Sequence, residues 1–259
     1  YELPSVNSIW VQQAMSDSGL SIGGAYHIGS RDHGWMGERF DSVALGQSYD
    51  DDTVTKALER YGQESFGKKR FPNLDDLAEK VAEHLASGDV VCLFRGRMEY
   101  GPRALGQRSI LYQPTDPDAI DWLNKRLDRT EFMPFAPVTL KTAGDECYIN
   151  YDAERCPAAD HMTISLDCTE KMSERSPGVV HVDETARPQM IDENGDELYY
   201  KTLRSYYEKT DIPTLINTSF NMHGEPLVRT PEHALESWLR SNNEVLVLED
   251  RLIRREGKQ

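Results

Sequence analysis

The sequence predicts an α/β fold, an open mixed sheet with helices packed on it, and three features carry that reading. Amphipathic helical stretches alternate with short apolar runs such as Val90–Phe94 and Glu244–Leu248, the length and character of strands buried on both faces. Helix starts are written in capping residues, Asn73 before Leu74 and Thr230 before Pro231. Polar segments follow the apolar runs directly, which is where an α/β sheet carries its ligand. No internal repeat is visible.

The elements follow in order. Ser8–Val11 reads as a short strand, and the small-residue stretch Ala14–Tyr26 as a turn leading into a helix that packs closely on its neighbours. Asp17 sits at that turn, with two readings open: a helix N-cap, or a ligand to a metal or nucleotide. His27 and His33 do not have the spacing of a metal pair. Residues 34–71 read as a connecting region, with an acidic turn at Asp50–Asp52 and a helix between Thr53 and Tyr61.

Pro72–Gly88 is the clearest helix. Leu74, Leu77, Ala78, Val81, Ala82 and Leu85 share one face, Asn73 caps it and Gly88 stops it, with His84 expected exposed or half-buried. Strand Val90–Phe94 follows at once, then a loop, then strand Ser109–Tyr112 and a helix from Asp118 to Leu127. Lys125, Arg126 and Arg129 lie at or just beyond that helix end, where cations complement its dipole. The proline-punctuated run Phe132–Leu140 fixes the next segment, with Phe132 and Phe135 as packing residues. Gly144–Asp160 reads as an irregular surface insertion, and Met162–Leu166 and Val179–Val182 as strands. A helix at Glu197–Glu208, strand Thr214–Ile216, a helix at Thr230–Arg240 and strand Glu244–Leu248 complete the chain.

Composition narrows the function. The chain has 259 residues, 38% of them hydrophobic, and a net charge of -15. That suits one large or two modest cores. The negative balance weighs against nucleic acid as main partner, because phosphate-backbone affinity comes from summed Lys and Arg charge. Anion binding is therefore local. No apolar run approaches a membrane span and the first residues are no signal peptide, so a cytoplasmic protein is expected. Cys92, Cys147, Cys156 and Cys168 lack metal or disulfide spacing and are expected as reduced thiols, Cys92 in the core. Tyr1 in place of Met is compatible with a fragment of a longer chain.

The local cations are concentrated in Arg95–Ser109, where four arginines and one glutamate occupy fifteen residues broken by Gly96, Gly101, Pro102 and Gly106. Arginine forks match phosphate or carboxylate oxygens, and glycines let backbone amides approach the same oxygens. A second polar strand-end segment, Asn217–Pro226, is rich in donors and acceptors and meets the first only through the fold. With Arg129 and Arg187 the two segments describe a pocket of several cations and few carboxylates. Such a pocket suits phosphoryl-bearing substrates, with catalysis by positioning and charge neutralisation. Neither a P-loop nor a G-x-S-x-G motif is present.

Four segments in this order, Gly96–Ile110, Phe132–Pro137, Thr185–Gln189 and Asn217–Pro226, resemble the carboxy-terminal domain of the NodU/CmcH-type O-carbamoyltransferases. Val11–Ala25 is similar to the closing segment of that family's amino-terminal actin-like (ASKHA) domain. The resemblance implies three parts: residues 1–33 as a remnant of the actin-like carbamoyl-transfer domain, 34–71 as a connection, and 72–259 as a YrdC-like α/β domain with a twisted open sheet. It implies a domain that joins carbamoyl phosphate to ATP, releases pyrophosphate and forms carbamoyl-adenylate. The first domain then hands the carbamoyl group to a hydroxyl-bearing small-molecule or saccharide acceptor.

Carried onto this chain, the resemblance assigns Arg97, Arg103, Arg108 and Arg187 to carbamoyl phosphate and triphosphate oxygens, with Arg129 in support. Ser219 and Asn221 match a Ser-x-Asn element for nucleotide and phosphate, with Asn217 beside them. Glu99 is expected to orient the arginines rather than act as a base, since a carboxylate facing phosphates repels them. His181, alone a buried structural histidine, becomes a donor near the carbamoyl group. Asp17 becomes a metal ligand of the actin-like domain and Gly19 a close neighbour of the nucleotide. Mg²⁺ accompanies ATP, and Fe²⁺ or another divalent metal belongs to the complete actin-like domain. Two departures stand out: the family's His-x-x-x-His pair and nearly all of the acceptor-binding domain are absent, and the lysine expected near Arg129 has no counterpart except Lys125 or Lys141. Two alternatives remain open: a non-catalytic nucleotide- or phosphate-binding subunit that needs a separate amino-terminal chain, and a threonylcarbamoyl-adenylate-type RNA-modification factor.

Overall fold

The computed structural model describes residues 3–35, 42–61, 66–129 and 134–255. In chain order these form α1 (Asp17–His33), α2 (Asp51–Arg60), β1 (Phe66–Arg70), α3 (Leu74–Ala86), β2 (Val91–Phe94), β3 (Arg108–Tyr112), α4 (Ala119–Arg126) and β4 (Ala136–Leu140). There follow α5 (Gly144–Cys147), β5 (Leu166–Asp167), α6 (Glu170–Arg175), β6 (Thr185–Ala186), β7 (Gln189–Ile191), α7 (Glu197–Thr210), β8 (Thr214–Ser219), α8 (Pro231–Ser241), β9 (Val245–Leu248) and β10 (Arg251–Arg255). Eight strands make one mixed sheet in the order β1-β10-β9-β2-β3-β8-β4-β7, and β5 pairs with β6 apart from it.

The expected α/β architecture is present, and the strand sequences explain it. β2, β3, β4 and β9 are buried along their whole length because both sheet faces are covered. Alternate residues serve the two faces. Val91, Leu93, Leu111, Leu215, Val245 and Val247 pack under α3 and α7, whereas Cys92, Phe94, Ile110, Ile216, Leu246 and Leu248 join the core with Trp238 of α8. α3 keeps the predicted face buried, Asn73 Oδ1 accepts from Asp75 N at 2.8 Å, and Gly88 closes it at φ 84°. Thr230 caps α8 with Pro231 in its first turn, as the sequence indicates.

Other expectations are corrected. Ser8–Val11 is irregular, although Ile9 exchanges backbone bonds with Arg155 and Ala158. Met162 takes a left-handed turn and Val179 lies in a 3-10 turn, so neither neighbouring apolar run extends as a strand; only Leu166–Asp167 and Thr185–Ala186 pair. Residues 144–160 are not a surface insertion, since Cys147, Tyr148, Cys156, Ala158 and Ala159 are buried. Tyr148 reaches Thr139 Oγ1 of β4 at 2.8 Å, which ties the segment to the sheet. His84 is buried rather than exposed because its Nδ1 is held 2.7 Å from Asp89. Within the stretch read as a connection, β1 pairs with β10 at the sheet edge, and α2 begins with Asp50 accepting from Thr53 N.

α1 confirms the helix expected after Ala14 but buries none of its residues. It meets the rest of the chain at its start: Ala14 lies under Gly101, and the Tyr100 hydroxyl donates to Ser18 O. Four buried cysteines are free thiols. No described helix is long and apolar enough to cross a membrane.

Candidate functional site at one end of the sheet

Strand directions gather the polar segments. β2, β8 and β9 run parallel to one another and antiparallel to β3, β4 and β7. The carboxyl ends of the first three and the amino ends of the others therefore share one edge. Along it lie Glu249, Arg95, the loop before β3, Ser219, the Arg129 segment and Arg187. The two strand-end segments meet directly: Ser109 is opposite Ser219, and Phe220 N donates to Arg108 O at 3.0 Å.

The loop from Arg95 to Arg108 is largely filled by its own side chains. Glu99 is buried, and its Oε1 accepts from the amides of Leu105 (2.8 Å), Gln107 (2.9 Å) and Arg108 (2.9 Å). Gly106 N donates to Ser109 Oγ, and Gly96 N donates to both carboxylate oxygens of Glu249 at 3.1 and 3.0 Å. These amides are thus spent inside the loop, not left for an anion. Gly106, at φ 115°, is required twice over, because a Cβ there would lie 2.6 Å from the Tyr199 ring. Glu99 therefore organises backbone amides, and its charge also acts on the Arg108 guanidinium.

The arginines divide into two kinds. Arg108 is fully buried, stacks over Phe94 at 3.7 Å, and donates to Arg95 O and Gln107 O at 2.9 Å and Gly96 O at 3.2 Å. Burial lowers its pKa, and the charges of Glu99 and Glu249 oppose that shift. Arg97 is exposed and donates to Gly46 O and Leu45 O, fastening the loop to the 45–46 segment. Both hold backbone carbonyls, and Arg108 Nε is buried without a partner among the described residues.

Arg187, Arg103 and Arg129 differ. Burial lowers the Arg187 pKa and nearby Arg103 lowers it further; its Nε is buried without a partner. Arg103, half-buried, makes neither hydrogen bond nor ion pair among the described residues. Arg129 is lowered by burial with no carboxylate opposing it, and donates to Thr218 Oγ1 and Ser219 Oγ at 3.0 Å. Guanidinium groups stay protonated in proteins, so Arg129 and Arg187 are partly desolvated cations on which no carboxylate among the described residues acts.

The remaining candidates support this edge. Asn217 is buried and donates to Ala104 O (3.0 Å) and Gln189 Oε1 (2.9 Å), tying β8 to the loop and to β7. Asn221 donates to Met222 O and Glu225 O, and its Oδ1 is buried without a partner. His181 lies 3.2 Å from Thr185 Oγ1; burial lowers its pKa, with Asp183 opposing and Arg187 adding to the shift. Sequence reasoning missed Gln189 as the link between Asn217, Leu105 and Tyr199, and Glu249 as the acceptor for Gly96. The Thr185–Gln189 motif carried the first signal; the second had none, since Glu249 is one residue of an acidic turn. Phe132 lies outside the described residues, while Phe135 is buried as expected.

Asp17 and Gly19 are at the other side of the loop. Asp17 is exposed in the first turn of α1, Ser16 holds the N-cap position without a side-chain bond, and a Cβ at Gly19 would lie 2.2 Å from Ala14 O. Gly19 thus serves close packing in this chain. No three His, Cys, Asp or Glu among the described residues are grouped to hold a metal, so the donor set for one is not assembled around Asp17. Of the two lysines, Lys125 is exposed on α4 and Lys141 is clamped between Asp160 and Asp192 at 2.9 and 3.0 Å.

Comparison with known proteins adds a family match. The family described as Carbamoyltransferase C-terminus matches residues 82–255. Nodulation protein NolNO of Sinorhizobium fredii is 32% identical over 95% of this chain and 36% of its own length. An uncharacterized protein of Methanocaldococcus jannaschii is 31% identical over 98% of this chain and 41% of its own. The chain thus spans less than half the length of these relatives. Among solved structures, full-length HypF in a phosphate- and nucleotide-bound form aligns with 74% of this chain and 22% of its own, at 18% identity and TM-score 0.44, a likeness too distant to carry an argument.

Proposed function

This chain belongs to the carbamoyltransferase family, matching its C-terminal region, and on that premise we propose that its sheet edge binds ATP and carbamoyl phosphate and forms carbamoyl-adenylate. The observation that carries the reading is that Arg187 and Arg129 are partly desolvated with no carboxylate among the described residues acting on them, and that Arg103, close to Arg187, makes no hydrogen bond or ion pair among those residues. Phosphoryl oxygens are the natural complement, each charge-assisted bond contributing about 1.5–3 kcal/mol.

The balance of the reaction is fixed by its atoms. Carbamoyl phosphate gives up its phosphate and ATP its pyrophosphate, one water is consumed, and a carbamoyl oxygen ends bonded to the α-phosphorus. Arg103, Arg187 and Arg129 neutralise the phosphoryl oxygens where charge gathers on the leaving pyrophosphate. Ser219 Oγ, steadied by Arg129, and the unpartnered Asn221 Oδ1 supply a donor and an acceptor beside them. His181, its pKa depressed, offers a neutral imidazole to the carbamoyl group. Mg²⁺ arrives with the triphosphate, since the loop's own carboxylate, Glu99, is buried and its Oε1 is engaged by three amides. Fe²⁺ or another divalent metal, the amino-terminal domain and the hydroxyl-bearing acceptor belong to the longer protein in this reading. The sheet edge also suits a nucleotide-binding subunit that is active only beside a separate amino-terminal chain.

The test is mass-spectrometric detection of AMP, pyrophosphate and carbamoyl-adenylate after mixing the chain with ATP, Mg²⁺ and carbamoyl phosphate. Products that require both substrates are expected. ATP binding without product would leave the binding-subunit reading, and neither binding nor product would overturn both.

A further inference from the structure

Two buried amides join the segments that carry Arg103 and Arg187. Gln189, the first residue of β7, follows Arg187 by two positions, and Ala104 and Leu105 follow Arg103 directly. Gln189 Nε2 donates to Leu105 O at 2.9 Å, and Asn217 Nδ2 donates to Ala104 O at 3.0 Å. A backbone carbonyl oxygen accepts and never donates, so these contacts fix the orientation of both amides. Gln189 Oε1 then accepts from Asn217 Nδ2 at 2.9 Å and from the Tyr199 hydroxyl at 3.3 Å, which makes one consistent network. Gln189, Asn217 and Tyr199 are all buried, so water does not compete for these bonds.

This pair differs from Glu99 in what it holds. Glu99 accepts from the loop's own amides and shapes it internally, whereas Gln189 and Asn217 fasten the loop to β7 and β8. On the β7 side the backbone is anchored separately, because Pro188 O accepts from Met162 N at 3.2 Å and Gln189 pairs with Val138 of β4. The loop side carries Arg103, whose guanidinium makes neither hydrogen bond nor ion pair among the described residues. Its charge acts on Arg187, and like charges repel. The separation of the two guanidinium groups is therefore set by the backbones that carry them, and Gln189 ties those backbones together. A polyphosphate that spans two cations binds more tightly when their separation is fixed beforehand.

We propose that Gln189 is a positioning residue of the anion site: through Leu105 O and Asn217 it holds the Arg103 loop against the Arg187 strand, so that one polyphosphate meets both guanidinium groups. The inference rests on the reading of this sheet edge as the ATP site.

The test is a double-mutant cycle in the affinity for ATP with Mg²⁺, measured by calorimetry on the natural chain, Gln189→Met, Arg103→Ala and the two combined, with unfolding midpoints recorded for each. Gln189→Met keeps an unbranched side chain of similar length and removes its hydrogen bonds. It is expected to weaken ATP binding at least ~5-fold where Arg103 is present and less than ~2-fold in the Arg103→Ala background, while lowering the midpoint alike in both. A residue that merely stabilises the fold would weaken binding equally in the two backgrounds. That result, or unchanged affinity in Gln189→Met, overturns this proposal alone. Where Gln189→Met does not fold, Gln189→Asn, which keeps the amide on a stem one methylene shorter, is put through the same cycle with the same criteria. A natural chain that binds no ATP overturns the reading of the edge and this inference with it.

Discussion

Two sets of arginines at the same sheet edge do opposite work. Arg97 and Arg108 come from the arginine-rich loop Arg95–Ser109, yet both donate to backbone carbonyls, Arg108 with Glu99 and Glu249 as counter-charges. Arg129 and Arg187 lie outside that loop, and burial lowers their pKa with no carboxylate among the described residues opposing it. Arg103 belongs to the loop but sides with the second set. Cation density along a sequence therefore marks where a loop is built. The second set differs in that no carboxylate among the described residues opposes the lowering of its pKa values.

The contrast breaks most visibly at Glu99. Glu99→Ala would orphan three buried amides and is expected to cost about 3–6 kcal/mol in urea unfolding, whereas a loss below about 1 kcal/mol would mean the loop holds itself. Arg108→Ala comes next, at about 2–4 kcal/mol, through the lost stacking on Phe94 and three freed carbonyls. His161, close to Lys141, gives a pH-dependent counterpart. The folded His161 pKa, about 4, lies below the unfolded value near 6.5, so the unfolded chain takes up the proton first. Stability is unaffected by this group above pH ~6.5 and falls as pH drops toward 4, by at most about 3 kcal/mol. Lys141, Asp160 and Gln13 surround the ring, so the comparison is between natural chain and His161→Phe at pH 7 and 4.5, and the difference in slope isolates it. At the small end, Arg103→Ala is expected to change stability by no more than about 0.5 kcal/mol.

The sequence was most legible where local chemistry decides structure. Asn73, Gly88, Thr230 and Pro231 announce helix ends, and the uninterrupted apolar runs of β2 and β9 announce strands covered on both faces. It was least legible where distant partners decide. β1, with the sequence Phe66–Arg70, carries three consecutive cations and becomes a strand only because β10 pairs with it from the far end of the chain. The apolar runs near Met162 and Val179 were misleading because burial there is served by tight turns. At the site, the strand-end segments were found from their residue types. Their division into builders and binders depended on Glu249 and Asn217, whose contacts span more than a hundred residues.

The most direct measurement is calorimetric titration of ATP with Mg²⁺ into the natural chain and into the Arg103→Ala, Arg187→Ala double variant, with unfolding midpoints recorded for both. The account predicts affinity weakened at least ~10-fold at an unchanged midpoint, because these cations bind rather than build. Equal affinity in the two proteins would contradict it and return the anion site to the interior of the loop.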